Sequence, residues 1–353
     1  MRVRARHGLA AVLAGLLLAG CSGGTAGGAG DARATGAGRG FPVAVTDCSG
    51  ARTVFDAPPK AIVTSNASGL ELLLRLGVGA RVVGTGFPPG RGALPAPYDA
   101  QAREVPVLGS GIIPKERLLG SGADVYVDTF GAMGGMAGAG AIPSPAEYRA
   151  AGIRQVFLKS TACAARRTTP MTDLSAVEDD ITTLGAVTGA DTAARRLVAG
   201  MRRTVSAVTA AVSGVPQARR PTYFFFDYDA GTRQPSVVCD RQIANAVITL
   251  AGARNVFGDC HGTFRQVGWE DVISRDPDWI QLAVRNHGSP AADAKAFDAA
   301  ERWLKSDPAT RGMTAVRDNR FLRIRSEQTT IAGVGDADTV RRIARTLYPG
   351  KVS

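Results

Sequence analysis

Histidine is nearly missing from this chain, with three in 353 residues, and the common catalytic motifs are missing with it. Apart from His7 near the N-terminus, only His261 and His287 remain. Two are too few for the His-rich clefts that bind bare zinc or manganese, so no metal site is expected. No GxSxG elbow, HExxH helix or GxxxxGK[ST] phosphate loop occurs, and no CxxC or Cys/His cluster offers zinc a cage. The Gly131–Gly140 stretch lacks GxGxxG order and reads as a mobile loop. Aromatics make up 6% and do not interleave with the basic pairs Arg166-Arg167, Arg202-Arg203, Arg219-Arg220 and Arg341-Arg342, which argues against nucleic acid as a partner. Past Ala19 there is no long apolar run, which argues against a membrane-spanning segment.

What is present starts at the N-terminus. Arg2, Arg4 and Arg6 precede an apolar stretch from Leu9 to Ala19 that ends in Leu18-Ala19-Gly20-Cys21. Charge, a short apolar core and small residues make residues 1–20 a secretory signal, too short for a span. The Leu-Ala-Gly-Cys ending is similar to a bacterial lipobox, which implies lipidation of Cys21 and anchoring on the extracytoplasmic face of the cell membrane. Gly, Ala, Ser and Thr dominate the rest of 21–40, a flexible linker that cannot bury a core. The formal charge of +11, less those three arginines, is +8, a solvated basic surface suited to anionic lipid or an anionic ligand.

Five cysteines, less Cys21, leave Cys48, Cys163, Cys239 and Cys260. An even count outside the cytoplasm predicts two disulfides, and three connectivities are open. One bridge in each half, Cys48–Cys163 and Cys239–Cys260, is the expectation.

Short β-branched segments at Ala61–Thr64, Arg81–Gly84, Asp124–Asp128 and Gln155–Leu158 predict strands, with helices between the early ones. Gly69–Leu76, with Leu70, Leu73 and Leu74 on one face, is such a helix. The alternation returns in the second half through Thr222–Asp227, Ile243–Ala251, Trp279–Val284 and Arg320–Ile324. The halves also correspond in detail. Leu74 through Gly84 parallels Ile248 through Gly258; Glu116 precedes Asp124, and Glu270 precedes Asp278, by the same spacing. The predicted fold is α/β: two similar lobes with central, mostly parallel sheets and a ligand cleft between them. Residues 41–173 form the first lobe and 215–353 the second. The interlobe segment 174–214 has no strand pattern, and Leu197, Met201, Val205, Val208 and Val212 recur at helical spacing after Asp191, a candidate cap. One long helix there would limit relative motion of the lobes.

A family resemblance rests on motifs in a fixed order. They are Phe41-Pro-Val-Ala-Val-Thr-Asp-Cys48, Phe55-Asp-Ala-Pro-Pro59, Leu70 to Gly77, Asp179-Asp-Ile with Leu184-Gly185, Ala251-Gly with Asn255-Val-Phe257, and Val267-Gly-Trp-Glu-Asp-Val272 before Asp276-Pro-Asp278. From Phe41 to about Leu347 the chain resembles the substrate-binding lipoproteins of ABC importers for ferric siderophores, haem and corrinoids. It resembles above all a branch with an Asp-Cys start, whose disulfide partner here would be Cys163. The resemblance implies a bilobal monomer with a rigid interlobe helix, no enzymatic activity, no cofactor, and a permease dimer as partner. It also implies that Glu116 and Glu270 dock onto that permease, one from each lobe.

Ligand candidates follow the carboxyl ends of the strands. They are Ser65, Asn66, Phe87, Thr129 and Phe130 in the first lobe, and Tyr228, Arg241, Trp269, Arg285 and Arg325 in the second. Aromatics offer flat apolar surface and arginines grip carboxylate or phosphate; Trp269 and Arg285 stand out. A ferric siderophore or similar chelate is the expected ligand, and a corrinoid, haem or an anionic deazaflavin precursor stays open. Two other classes remain: a surface-tethered hydrolase using Asp227 or Asp229, and a sensor or adhesion module.

Overall fold

In the computed structural model, residues 40–131 and 142–352 are described. The signal segment, Cys21, the linker to residue 39 and most of the glycine-rich loop lie outside the described residues. No helix among the described residues is long and apolar enough to cross a membrane.

A hairpin of β1 (Val43–Thr46) and β2 (Arg52–Phe55) opens the fold. The first lobe is built on β3 (Ile62–Thr64), β4 (Val82–Thr85), β5 (Val125–Asp128) and β6 (Arg154–Phe157). All four are parallel, in the order β4-β3-β5-β6. Every residue of β3 and β5 is buried, as expected of strands covered on both faces by helices. The second lobe repeats the plan with β7 (Thr222–Asp227), β9 (Arg254–Asn255), β11 (Trp279–Ala283) and β12 (Phe321–Arg323), again parallel, in the order β12-β11-β7-β9. A separate antiparallel pair, β8 (Ser236–Val238) with β10 (Phe264–Gln266), sits beside it. Numbering strands within each lobe gives second-first-third-fourth in both sheets, so the correspondence seen in sequence is one of topology.

The matched aspartates have one job in both lobes. Asp124, just before β5, accepts from Lys60 N at 2.7 Å and Ala61 N at 3.0 Å. Asp278, just before β11, accepts from Thr222 N at 2.7 Å and Thr222 Oγ1 at 2.8 Å. Each ties the foot of the third strand to that of the first.

Ala67–Arg75 is helical, capped by Asn66, with Leu70, Leu72, Leu73 and Leu74 buried. Ile243–Leu250 is its counterpart, a helix after β8. The interlobe segment is two helices rather than one. Ser175–Thr188 ends at Gly189, whose φ of +70° is the left-handed geometry that glycine takes without strain, and Asp191–Val212 follows. Asp191 is not the cap; Ala190 is, and Asp191 instead places its carboxylate in the first turn, where the helix dipole favours it. The second helix has 22 residues and packs on the C-terminal helix Asp336–Leu347 as well as on its predecessor. Both belong to an apolar core that runs from Ile62 and Leu73 through Ile181 and Val208 to Tyr223 and Val340. Because this core is shared by both lobes, opening them wide would expose apolar surface at about 25 cal/mol per Å².

The disulfides are Cys48–Cys163 and Cys239–Cys260, with sequence separations of 115 and 21. Cys239→Ser with Cys260→Ser should lower stability by about 3 kcal/mol, from the loop the bond closes in the unfolded chain. Denaturant midpoints of wild type and variant check this, and thiol counting on unreduced, denatured protein should find none of the four free.

Candidate functional site

The lobes meet through segments that leave the carboxyl ends of their strands. At the base, Ser68 Oγ donates to Ala332 O at 2.8 Å and Ala332 N to Thr161 Oγ1 at 3.1 Å. At one lip, Asn286 Nδ2 donates to Pro88 O at 3.2 Å, Arg91 N to Gly288 O at 3.3 Å, and Arg325 Nη2 to Ala93 O at 3.2 Å. Gly90 allows this approach, since a Cβ there would collide with the Asn286 side chain.

The turn after β11 is held rigidly for that contact. Three successive backbone N–H groups each donate to a different carboxylate: Arg285 N to Asp229 at 2.6 Å, Asn286 N to Glu327 at 2.8 Å, and His287 N to Asp293 at 2.8 Å. His287 Nε2 lies 3.0 Å from the same Asp229 oxygen. Asp227 accepts from Ala230 N at 3.2 Å, and burial pushes its carboxyl up against the opposing pull of Arg285. Asp227 and Asp229, the residues considered for a hydrolase, thus shape loops. Asp293 and Glu327 were not singled out in the sequence, and their spacing gave no signal for this role.

Several ligand candidates are spent on architecture. Ser65, Asn66 and Thr129 are fully buried. Ser65 Oγ accepts from Thr129 N at 2.9 Å, and Asn66 Oδ1 accepts from Gly69 N at 3.1 Å and Thr129 Oγ1 at 3.3 Å. These bonds join the ends of β3 and β5. Arg325 pairs with Asp293 at 3.4 Å besides its bond across the lip, so it is a strut between lobes. Trp269 stacks edge-on to Phe224 and Phe226, lies 5.1 Å from Trp303, and donates through Nε1 to Thr232 O at 2.6 Å. It is the outer layer of the second lobe's aromatic core. Tyr228 is half-buried against Phe226. Arg241 stands 3.9 Å from Asp240, with its Nε buried and unpartnered among the described residues.

Phe87, Phe130 and Arg285 remain available. Phe87 is 41% exposed and meets Phe130 edge-to-face at 5.3 Å, with exposed Ile112 near by. The Phe87 backbone has φ of +33°, rare for a bulky residue, and is held there by Phe87 N to Gly111 O at 3.1 Å and Ala67 N to Phe87 O at 3.0 Å. A strained backbone that presents an aromatic ring to solvent, at the junction of two lobes, offers a flat apolar contact. Arg285 is exposed and makes no ion pair among the described residues. No cluster that could hold a metal ion occurs among the described residues.

Glu116 and Glu270 lie in the first turns of helices Lys115–Leu119 and Trp269–Arg275, at equivalent places in the two lobes. Both are exposed, and neither is in an ion pair among the described residues.

Comparison with known proteins follows this geometry. Residues 62–328 match the profile of a family described as periplasmic binding protein. A cobalamin-binding protein of Halobacterium salinarum is 25% identical over 249 residues, 69% of this chain and 59% of that relative, so the chain spans less than two thirds of its length. An uncharacterised ABC transporter substrate-binding lipoprotein of Bacillus subtilis is 23% identical over 99% of this chain and 98% of its own. Among solved structures, a periplasmic binding protein from Veillonella parvula covers 88% of this chain and 99% of its own at 22% identity, with a TM-score of 0.73. One from an ABC-type Fe3+-hydroxamate transport system of Saccharomonospora viridis covers 87% and 99% at 24% identity, with a TM-score of 0.66. The structural likenesses show the fold, and the profile spans most of the chain: it belongs to the periplasmic binding protein family, whose members bind ligands and are not enzymes.

Proposed function

We propose that this chain is the capture subunit of an ABC importer, tethered outside the cell by lipid on Cys21, and that it delivers an iron chelate of the siderophore type to a permease dimer. The observation that carries the reading is Phe87, exposed on strained backbone and paired with half-buried Phe130 where two lobes of equal topology meet. Such a surface suits the apolar face of a bulky organic chelate, and exposed Arg285 across the junction suits an acidic edge of it. The hydroxamate-system protein and the Bacillus lipoprotein support the same role by their names. A corrinoid is the second reading, favoured by the halobacterial relative's name. Glu116 and Glu270 would dock the loaded protein, since matched carboxylates on two equivalent lobes suit a two-fold partner.

Titration with a ferric trihydroxamate, cyanocobalamin and haemin, followed by tryptophan emission with product analysis alongside, tests the reading. It requires saturable binding of the hydroxamate chelate with the molecule recovered unchanged. Saturation by cyanocobalamin alone selects the corrinoid, and chemical conversion of any of them contradicts the proposal.

A further inference from the structure

Behind Phe130, on the first lobe, lies a small pouch of about 20 Å³. It opens at the carboxyl ends of β3 and β5, and Ser65 and Phe130 belong to its lining. Ile112, Ile113 and Leu118 make its apolar wall. Its polar groups are Asp128, Tyr126 and Tyr148. That volume admits one water-sized group.

The pouch contains two polar groups left wanting. Tyr148 is 3% exposed, and its hydroxyl has no hydrogen-bond partner among the described residues. An unmet buried hydroxyl costs about 1–3 kcal/mol. Asp128 is 7% exposed; its Oδ1 accepts from Phe130 N at 2.8 Å and Gly131 N at 3.0 Å, and no lysine or arginine pairs with it among the described residues. Burial pushes the Asp128 carboxyl up, and burial, joined by the Asp128 charge, pushes the Tyr126 and Tyr148 hydroxyls up. The ring of Tyr126 stacks on that of Tyr148 at 6.0 Å, so the two phenols are set by packing rather than by bonds to each other. Everything polar in the pouch is an acceptor or can act as one, and no cation lines it among the described residues.

We propose that this pouch is a subsite of the ligand cleft that receives a compact hydrogen-bond-donating arm of the bound molecule, best a primary ammonium, between the Asp128 carboxylate and the Tyr148 hydroxyl. An ammonium has three donors and no acceptor, matching acceptors on several sides, and it supplies the opposite charge that a buried carboxylate lacks. An anionic arm would face Asp128 unscreened, so the pouch sorts ligands by the sign of their side arm as well as its size. The inference rests on the reading of the lobe junction as a ligand cleft.

Its test has two arms. In the first, the full protein with ¹³C-labelled tyrosine rings is titrated with methylammonium chloride, and with tetramethylammonium chloride as the bulky control. Saturable shifts at Tyr126 and Tyr148 are expected with methylammonium only, and they should vanish in Asp128→Asn. No saturable shift, or equal shifts in Asp128→Asn, overturns the proposal and leaves the pouch to a structural water. In the second, a linear ferric trihydroxamate with a terminal primary ammonium is compared with its N-acetylated form. The ammonium form should bind at least tenfold tighter to wild type, and Tyr148→Phe, which keeps the ring and its packing, should shrink that ratio. Equal affinities of the two chelates for wild type overturn the proposal. Should neither chelate bind while methylammonium still occupies the pouch, the iron-chelate reading fails and the donor-arm subsite stands for another scaffold.

Discussion

Cells whose only copy carries Glu116→Ala together with Glu270→Ala should lose uptake of the ligand by more than about tenfold, while the purified variant binds ligand as wild type does. Each glutamate sits in the first turn of the helix before the third strand of its lobe. Each helix runs down to an aspartate, Asp124 or Asp278, that ties the third strand to the first. The sheets share one strand order, so a permease with two-fold symmetry meets the same charge at equivalent places. Neither carboxylate supports the fold, because both are exposed and outside any ion pair among the described residues. Uptake assays with matched surface levels, beside a ligand titration, separate the outcomes. A single variant should show a partial loss, since one of two contacts remains. A large affinity loss in the double variant would remove these residues from docking.

The second large effect is at Phe87. Phe87→Gly should weaken ligand binding about tenfold or more, yet cost the free protein less than about 1 kcal/mol. A phenylalanine at φ of +33° carries strain that glycine would not, and relief of that strain offsets the packing lost with a residue that is 41% exposed and meets Phe130. The strained aromatic is kept, on this account, because ligand covers it. Thermal melts and titration on the same sample check both halves. A larger loss of stability with unchanged affinity would make Phe87 an ordinary packing residue.

Much of the architecture was legible in the chain because it is written in local patterns. Thr222–Asp227 is a strand over those same bounds, and Leu70, Leu73 and Leu74 do bury one helix face. The disulfide in each half follows the expected pairing. The hairpin of β1 and β2 and the β8–β10 pair were not foreseen, since strands of three or four residues with exposed faces carry little periodicity. The interlobe segment reads as helix throughout, and only the left-handed turn at Gly189 divides it.

The site was harder to read. Placing candidates after strand ends brought up Phe87 and Phe130, whose rings lie 5.3 Å apart in the fold. The same rule swept in Ser65, Asn66 and Thr129, because polarity near a strand end does not say whether the side chain bonds to a neighbour 63 or 64 residues away. Arg325 looked free in sequence, but Asp293 and Ala93 engage it from the same lobe and the other one. Asp128 and Tyr148 escaped notice for the opposite reason. One closes a buried strand and the other lies inside a short helix, and only the folded chain brings them to one cavity.

The account as a whole stands on capture of an intact organic molecule between the lobes. Mass spectrometry of small molecules released on denaturing protein purified from its own cells tests that most directly. It predicts a single organic chelator or macrocycle, near one per chain, whose mass equals that of the compound restored to the emptied protein. Recovery of a chemically altered product, or of no bound molecule together with no saturable binding of any chelate tried, would contradict it.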